Sequence, residues 1–165
     1  MAKIREVKHG SMTFLSTVRS TRAELDSAIT ALVDEQMLEP GASGEMSVKD
    51  ILAHIAWFER EMIGLLHQRA LAGSDLWNLP SDERNAVIFQ LNRQRILHDI
   101  RQEAEAVFQQ LLGELENLDE VALDDPGCFR DMPADWSPRQ LLAENTSEHY
   151  QHHLADIHAW LAKHI

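Results

Sequence analysis

Four histidines fall within ten residues near the end of the chain, at His149, His152, His153 and His158 in the run NTSEHYQHHLADIHAWL (145–161). A neutral imidazole offers a lone pair to a divalent cation. On a helix, residues i and i+4 stand one above the other on one face. The His149/His153 pair can therefore aim two nitrogens at one ion, ~2.0–2.1 Å from each. At about 100° per residue, Leu142, Thr146, Tyr150 and Ile157 form a mostly apolar arc that takes in His149 and His153. His152 falls at the edge of that arc beside Asn145 and Asp156, and His158 points away with Gln151. The spacing predicts that His149 and His153 face a core and that His158 is solvated. A buried imidazole needs a partner for its nitrogens, and either a metal or a hydrogen bond supplies one.

Two ligands from one helix do not make a site. His54, in ILAHIAWFE (51–59), shares its helical face with Ile51, Ile55 and Phe58 and also points inward. It reads either as a packed core residue or as a third ligand brought opposite the pair by a facing helix. Three neutral imidazoles would leave coordination positions open for water or substrate. A water held there would have its pKa lowered toward neutrality, which makes that water the candidate catalytic group. His67 and His98 lie in more polar settings. Asn145, Glu61 and Asp156 are nearest in helical phase to orient the ligand rings. Glu61 lies ~10 Å along the helix from His54, too far to share the ion, and reads as a pocket residue or a solvated flank. Asn85 and Asn92, with Phe89 between them, line a pocket or the wet edge of the molecule. Tyr150 and Trp57 are pocket walls or core packing. No Ser-His-Asp order and no glycine-rich phosphate loop stands out, and Cys128 has no visible activating partner.

These residues need long helices to position them. A first helix is predicted over Phe14–Val33 from the recurrence of Leu15, Val18, Leu25, Ile29 and Leu32. A second starts at Ser47, whose capping partner is Asp50, and stops at Gly73. A third runs from Ser81 to Leu115 with a kink or break near Gln94–Ile96. The fourth opens on Ser137-Pro138, with Gln140 completing a capping box, and continues through the histidines. DEQMLEPG (34–41) before SVKDILAHI and DEVALDDPG (119–127) before SPRQLLAEN form an internal echo of two helical hairpins. No strand-like alternation competes, so the fold class is all-α and the architecture a four-helix bundle with a pseudo-twofold repeat of hairpins. The 165 residues suit one domain, taken as 12–165. Met1–Ser11 reads as a tag or disordered leader, since Gly10-Ser11-Met12 resembles a cloning scar.

The formal net charge is −12, from 15 basic and 27 acidic residues. That balance argues against nucleic acid and against anionic membrane surfaces as partners. No apolar run approaches the ~18 residues that would span a bilayer. A lone cysteine gives no disulfide framework, so a reducing cytoplasm is the expected compartment. A small-molecule substrate is the expected partner, and a homodimer is compatible with a bundle of this size.

SVKDILAHIAWFEREM (47–62), LWNLPSDERNAVIFQLNRQR (76–95) and WSPRQLLAENTSEHYQHHL (136–154), in that order and spacing, resemble the DinB-like (YfiT-type) superfamily and within it the ClbS/DfsB branch. The similarity spans about Leu25 to Leu161. The resemblance implies a pseudo-twofold bundle and a three-histidine site for zinc or nickel. By position its ligands are His54, His149 and His153. It further implies a metal-dependent hydrolase or a thiol S-transferase with a thiol cosubstrate. The branch includes a self-resistance enzyme acting on a strained ring, and some of its members lack the triad. The alternative is a non-catalytic bundle that binds or sequesters a small molecule in stress or self-resistance.

Overall fold

The computed structural model describes residues 2–164, with side chains described for 14–119 and 121–164. The leader reading of Met1–Ser11 lies outside the described side chains. Eight α-helices follow in order: α1 (Ala2–Thr30), α2 (Asp34–Leu38), α3 (Val48–Gln68), α4 (Ser81–Asn92), α5 (Leu97–Glu116), α6 (Glu120–Asp124), α7 (Pro138–Glu144) and α8 (Ser147–Ala162). Two 3₁₀ turns, at Asp75–Asn78 and Pro126–Cys128, complete the set, and the described residues contain no named strand. The fold is all-α.

The four long helices, α1, α3, α5 and α8, form the bundle. Its main packings are α3 against α5 and α1 against α8. The expected repeat is visible in this arrangement. Each half runs long helix, five-residue helix, Pro-Gly loop and serine-capped helix, and exchanging the halves maps the α3/α5 packing onto α8/α1. The core between them includes Val18, Leu25, Ile51, Ile55, Leu111, Leu142 and Ile157, all within 1% of full burial. Each such aliphatic side chain contributes about 1.5–3 kcal/mol of transfer free energy.

Local chemistry sets the helix ends. Ser47 Oγ accepts from Asp50 N (3.2 Å) and Asp50 Oδ2 accepts from Ser47 N (2.9 Å), a complete capping box. At Ser137 only half of the expected box forms. Its Oγ accepts from Gln140 N (3.1 Å), but the Gln140 amide turns forward to Glu144 Oε1 (2.7 Å). The first helix stops at Thr30 rather than Val33, because Val33 has extended backbone and becomes the N-cap of α2. The second stops at Gln68, ahead of Gly73, with Arg69 in the left-handed region (φ 50). Tertiary pairing redirects the chain there: Arg130 N donates to Arg69 O (2.9 Å) and Leu71 N to Arg130 O (2.7 Å).

The third segment is two helices, broken at 93–96. Asn92 Nδ2 takes the Ile88 carbonyl (2.8 Å), and the buried Lys49 ammonium donates to Arg93 O and Arg95 O (2.8 Å each). The expected continuous fourth helix is also broken. Asn145 Nδ2 captures Leu141 O (2.8 Å), Thr146 Oγ1 captures Leu142 O (2.6 Å), and Thr146 leaves helical geometry (φ −132, ψ −97). Side chains take carbonyls that backbone amides would otherwise use. Both histidines of the pair lie beyond the break, in α8, so their i,i+4 relation is intact.

Candidate metal centre

α8 presents His149 and His153 to α3, and α3 presents His54 to α8. His54 and His153 are each 4% exposed and His149 is half-buried, whereas His152 and His158 lie on the solvent side. The three rings meet through one atom type. His149 Nε2 is 3.0 Å from His54 Nε2 and 3.0 Å from His153 Nε2, and ligand atoms of the three lie within 4.8 Å of one another. Phe58, one turn beyond His54, packs its ring 4.8 Å from both the His54 and His149 rings and closes one side.

Burial, reinforced by repulsion among the histidines and, for His54, by the Arg84 charge, drives the ring pKa values down, to about 3 for His54 and about 2 for His149. Burial also lowers His153, to about 4, against the pull of Asp156. The imidazoles are therefore neutral near pH 7 and carry lone pairs. A neutral ring nitrogen is either a donor or an acceptor. His149 Nε2 has one such role and two neighbours at hydrogen-bond distance, so hydrogen bonding cannot serve all three atoms well. A cation among them accepts every lone pair at once, and a tetrahedral zinc site places its nitrogens about 3.3 Å apart by its ~2.0–2.1 Å bonds. The donor set fits a divalent ion.

That arrangement places the ring protons on the three Nδ1 atoms, which are buried without hydrogen-bond partners. Asp156 Oδ2 comes nearest, 3.3 Å from His153 Nδ1 but not aligned for a hydrogen bond. The other residues expected to orient the rings are engaged elsewhere. Asn145 is spent on the α7 end. Glu61 Oε2 accepts from Ser74 N (2.9 Å) and Trp77 Nε1 (2.6 Å) and lines a cavity of about 370 Å³ with Met62, Leu65, Trp77, Trp136 and Leu141. Asn85 is half-buried on α4, its Oδ1 without a partner. Asn92 is held in the α4 terminus, its Oδ1 accepting from Arg95 (3.0 Å). Tyr150 is fully buried and donates to Glu59 Oε1 (2.6 Å), so it is a core residue rather than a wall of an open pocket. Trp57 stacks among Phe58 and Trp77. His67 meets Glu114 at the surface (3.0 Å), and His98 is exposed.

Two features have no counterpart in the sequence reading. Trp77, from the loop after α3, stands against Phe58 (5.7 Å between centroids), and nothing local marks a loop tryptophan for that place. Glu59, wholly buried, bonds Arg22 of α1 as well as Tyr150. Its place inside the apolar run of α3 is the signal that could have found it.

The profile of the DinB superfamily matches residues 17–157. No curated protein matches the sequence. Among solved structures, one titled Sibling Lethal Factor Precursor – DfsB superposes with a TM-score of 0.79 at 14% identity, covering 94% of this chain and 97% of that one. An uncharacterised protein from Escherichia coli UTI89 superposes with a TM-score of 0.70, also at 14% identity and covering 97% of each chain. At that identity the likeness is one of fold.

Proposed function

The chain belongs to the DinB superfamily, and from that premise we propose that it is a metal-dependent enzyme acting on a small molecule, of the hydrolase or thiol S-transferase type. The observation that carries this reading is the meeting of the His54, His149 and His153 Nε2 atoms across α3 and α8. An all-imidazole set suits zinc or nickel, and three protein ligands leave a position open for chemistry. A divalent ion held there would supply Lewis acidity, lowering the pKa of a water or thiol in that open position. The residues of the chain do the remainder. α3 and α8 fix the rings in one orientation, burial keeps them neutral, Phe58 shields one flank from water, and Asp156 stands beside the His153 ring proton.

The test is reconstitution. Chelator-treated protein is reloaded with zinc or nickel and assayed on activated esters and amides, and separately on electrophiles with glutathione, bacillithiol or mycothiol. The reading expects turnover that returns with metal and is absent from His149→Ala. Stoichiometric metal without turnover in either assay would leave a sequestering bundle in place of an enzyme.

A further inference from the structure

Seven of the arginines with described side chains form ion pairs with carboxylates: Arg19, Arg22, Arg60, Arg95, Arg101, Arg130 and Arg139. In a chain with 27 acidic and 15 basic residues, carboxylates are plentiful. Arg69 and Arg93 form no ion pair among the described residues, and neither does Arg84, although Asp82 and Glu83 immediately precede it. It is half-buried in the opening turn of α4, its Nε is buried without a partner, and its polar side-chain contact is one long hydrogen bond to Ser81 Oγ (3.3 Å). A cation near a helix N-terminus gains nothing from the helix dipole. Neither an ion pair nor the helix dipole accounts for its place.

Its surroundings suggest a purpose. The Arg84 guanidinium carbon lies 4.6 Å from the Trp77 ring centroid and 5.9 Å from that of Phe58. Phe58 is the ring that also touches His54 and His149, so the guanidinium and the triad share one aromatic neighbour. Trp77 is itself held by its indole bond to Glu61. Stacking on a fixed aromatic ring orients the plane of a guanidinium while leaving its edge donors free, which is the form that recognises oxyanions with two hydrogen bonds.

We infer that Arg84 is a substrate-binding residue that takes an anionic oxygen group, carboxylate or phosphate, of a small molecule whose reacting end reaches the three histidines. The inference rests on the reading of the triad as a reaction centre, but the anion site itself is built from α4, Trp77 and Phe58. Lysine in its place would keep the charge and lose the planar fork.

The experiment is calorimetric titration of the folded protein with acetate, with inorganic phosphate and with acetamide as a neutral control, in chelator-treated and in zinc-loaded forms. Metal content is measured alongside for wild type, Arg84→Gln and Arg84→Lys. The expected result is anion binding in both forms, weakened by about tenfold or more in Arg84→Gln and by less in Arg84→Lys, with the zinc equivalents unchanged. Preference for acetate or for phosphate assigns the anion type. Equal anion affinity in wild type and Arg84→Gln, or acetamide binding as well as acetate, overturns the inference while leaving the metal reading intact. Absence of zinc, with anion binding still dependent on Arg84, overturns the metal reading instead.

Discussion

Between two imidazole neighbours at 3.0 Å, His149 Nε2 is the atom on which the site turns. Removing His54, His149 or His153 takes away one of the three proposed ligands. His152 is exposed, 3.8 Å from Asp156 with its ring edge-on to His153 (5.2 Å between centroids), but it gives no atom to the triad, so His152→Ala is expected to leave metal affinity unchanged, which titration with a zinc indicator reads directly. Tyr150→Phe is expected to cost about 1–3 kcal/mol by leaving the buried Glu59 carboxyl one donor short, measured by urea denaturation, with metal content intact. The inward pair was legible in the sequence because i,i+4 spacing on an apolar arc fixes which side of a helix a residue occupies. The partners of Glu59 were not legible. Tyr150 lies 91 residues away and Arg22 37 residues away, and no local pattern encodes such a meeting.

At the scale of elements, the two helix breaks share a mechanism that sequence periodicity does not register. Asn92 and Asn145 each donate a side-chain amide to the carbonyl four residues back, as Asn117 does at the end of α5 (2.9 Å). The apolar stripe continues past each break, so the pattern reads as one helix where two exist. An asparagine followed by a change of direction is the cue that was there to use. Lys49 completes the first break from another element. Lys49→Met is expected to destabilise the fold by about 1.5–3 kcal/mol through two carbonyls losing a charged donor, seen as a lower denaturation midpoint. Gly73 has a role other than stopping a helix. A Cβ there would lie 2.4 Å from Glu61 Oε2 and 3.0 Å from Trp77, so the loop approaches α3 only because glycine has none. Gly73→Ala is expected to cost about 1–3 kcal/mol and to alter the Trp77 contribution to fluorescence, since the Glu61 carboxylate that holds the indole must move.

Across the whole molecule, the hairpin echo and the absence of strand patterning made the bundle and its pseudo-twofold arrangement readable, because burying a helical stripe leaves few architectures open. Among the described residues no helix is long and apolar enough to cross a membrane. One buried group gives global stability a pH dependence of its own. Burial raises Glu59 from 4.5 to about 7, with Arg22 and Tyr150 pulling the other way. Between those values the folded carboxyl keeps a proton that the unfolded one has lost. Its contribution is therefore full below about 4.5 and is lost as pH rises through about 7. The difference in denaturation free energy between wild type and Glu59→Gln is expected to shift in the wild type's favour as pH falls across that window. A pH-independent difference would place the folded carboxyl at its ordinary value. The central claim is that three imidazoles from α3 and α8 hold one divalent ion, and elemental analysis of tag-free protein dialysed against zinc tests it most directly. The account expects about one equivalent in wild type and in His152→Ala, and none in His54→Ala, His149→Ala or His153→Ala. Wild type without bound metal, or the three alanine variants retaining it in full, would contradict the account.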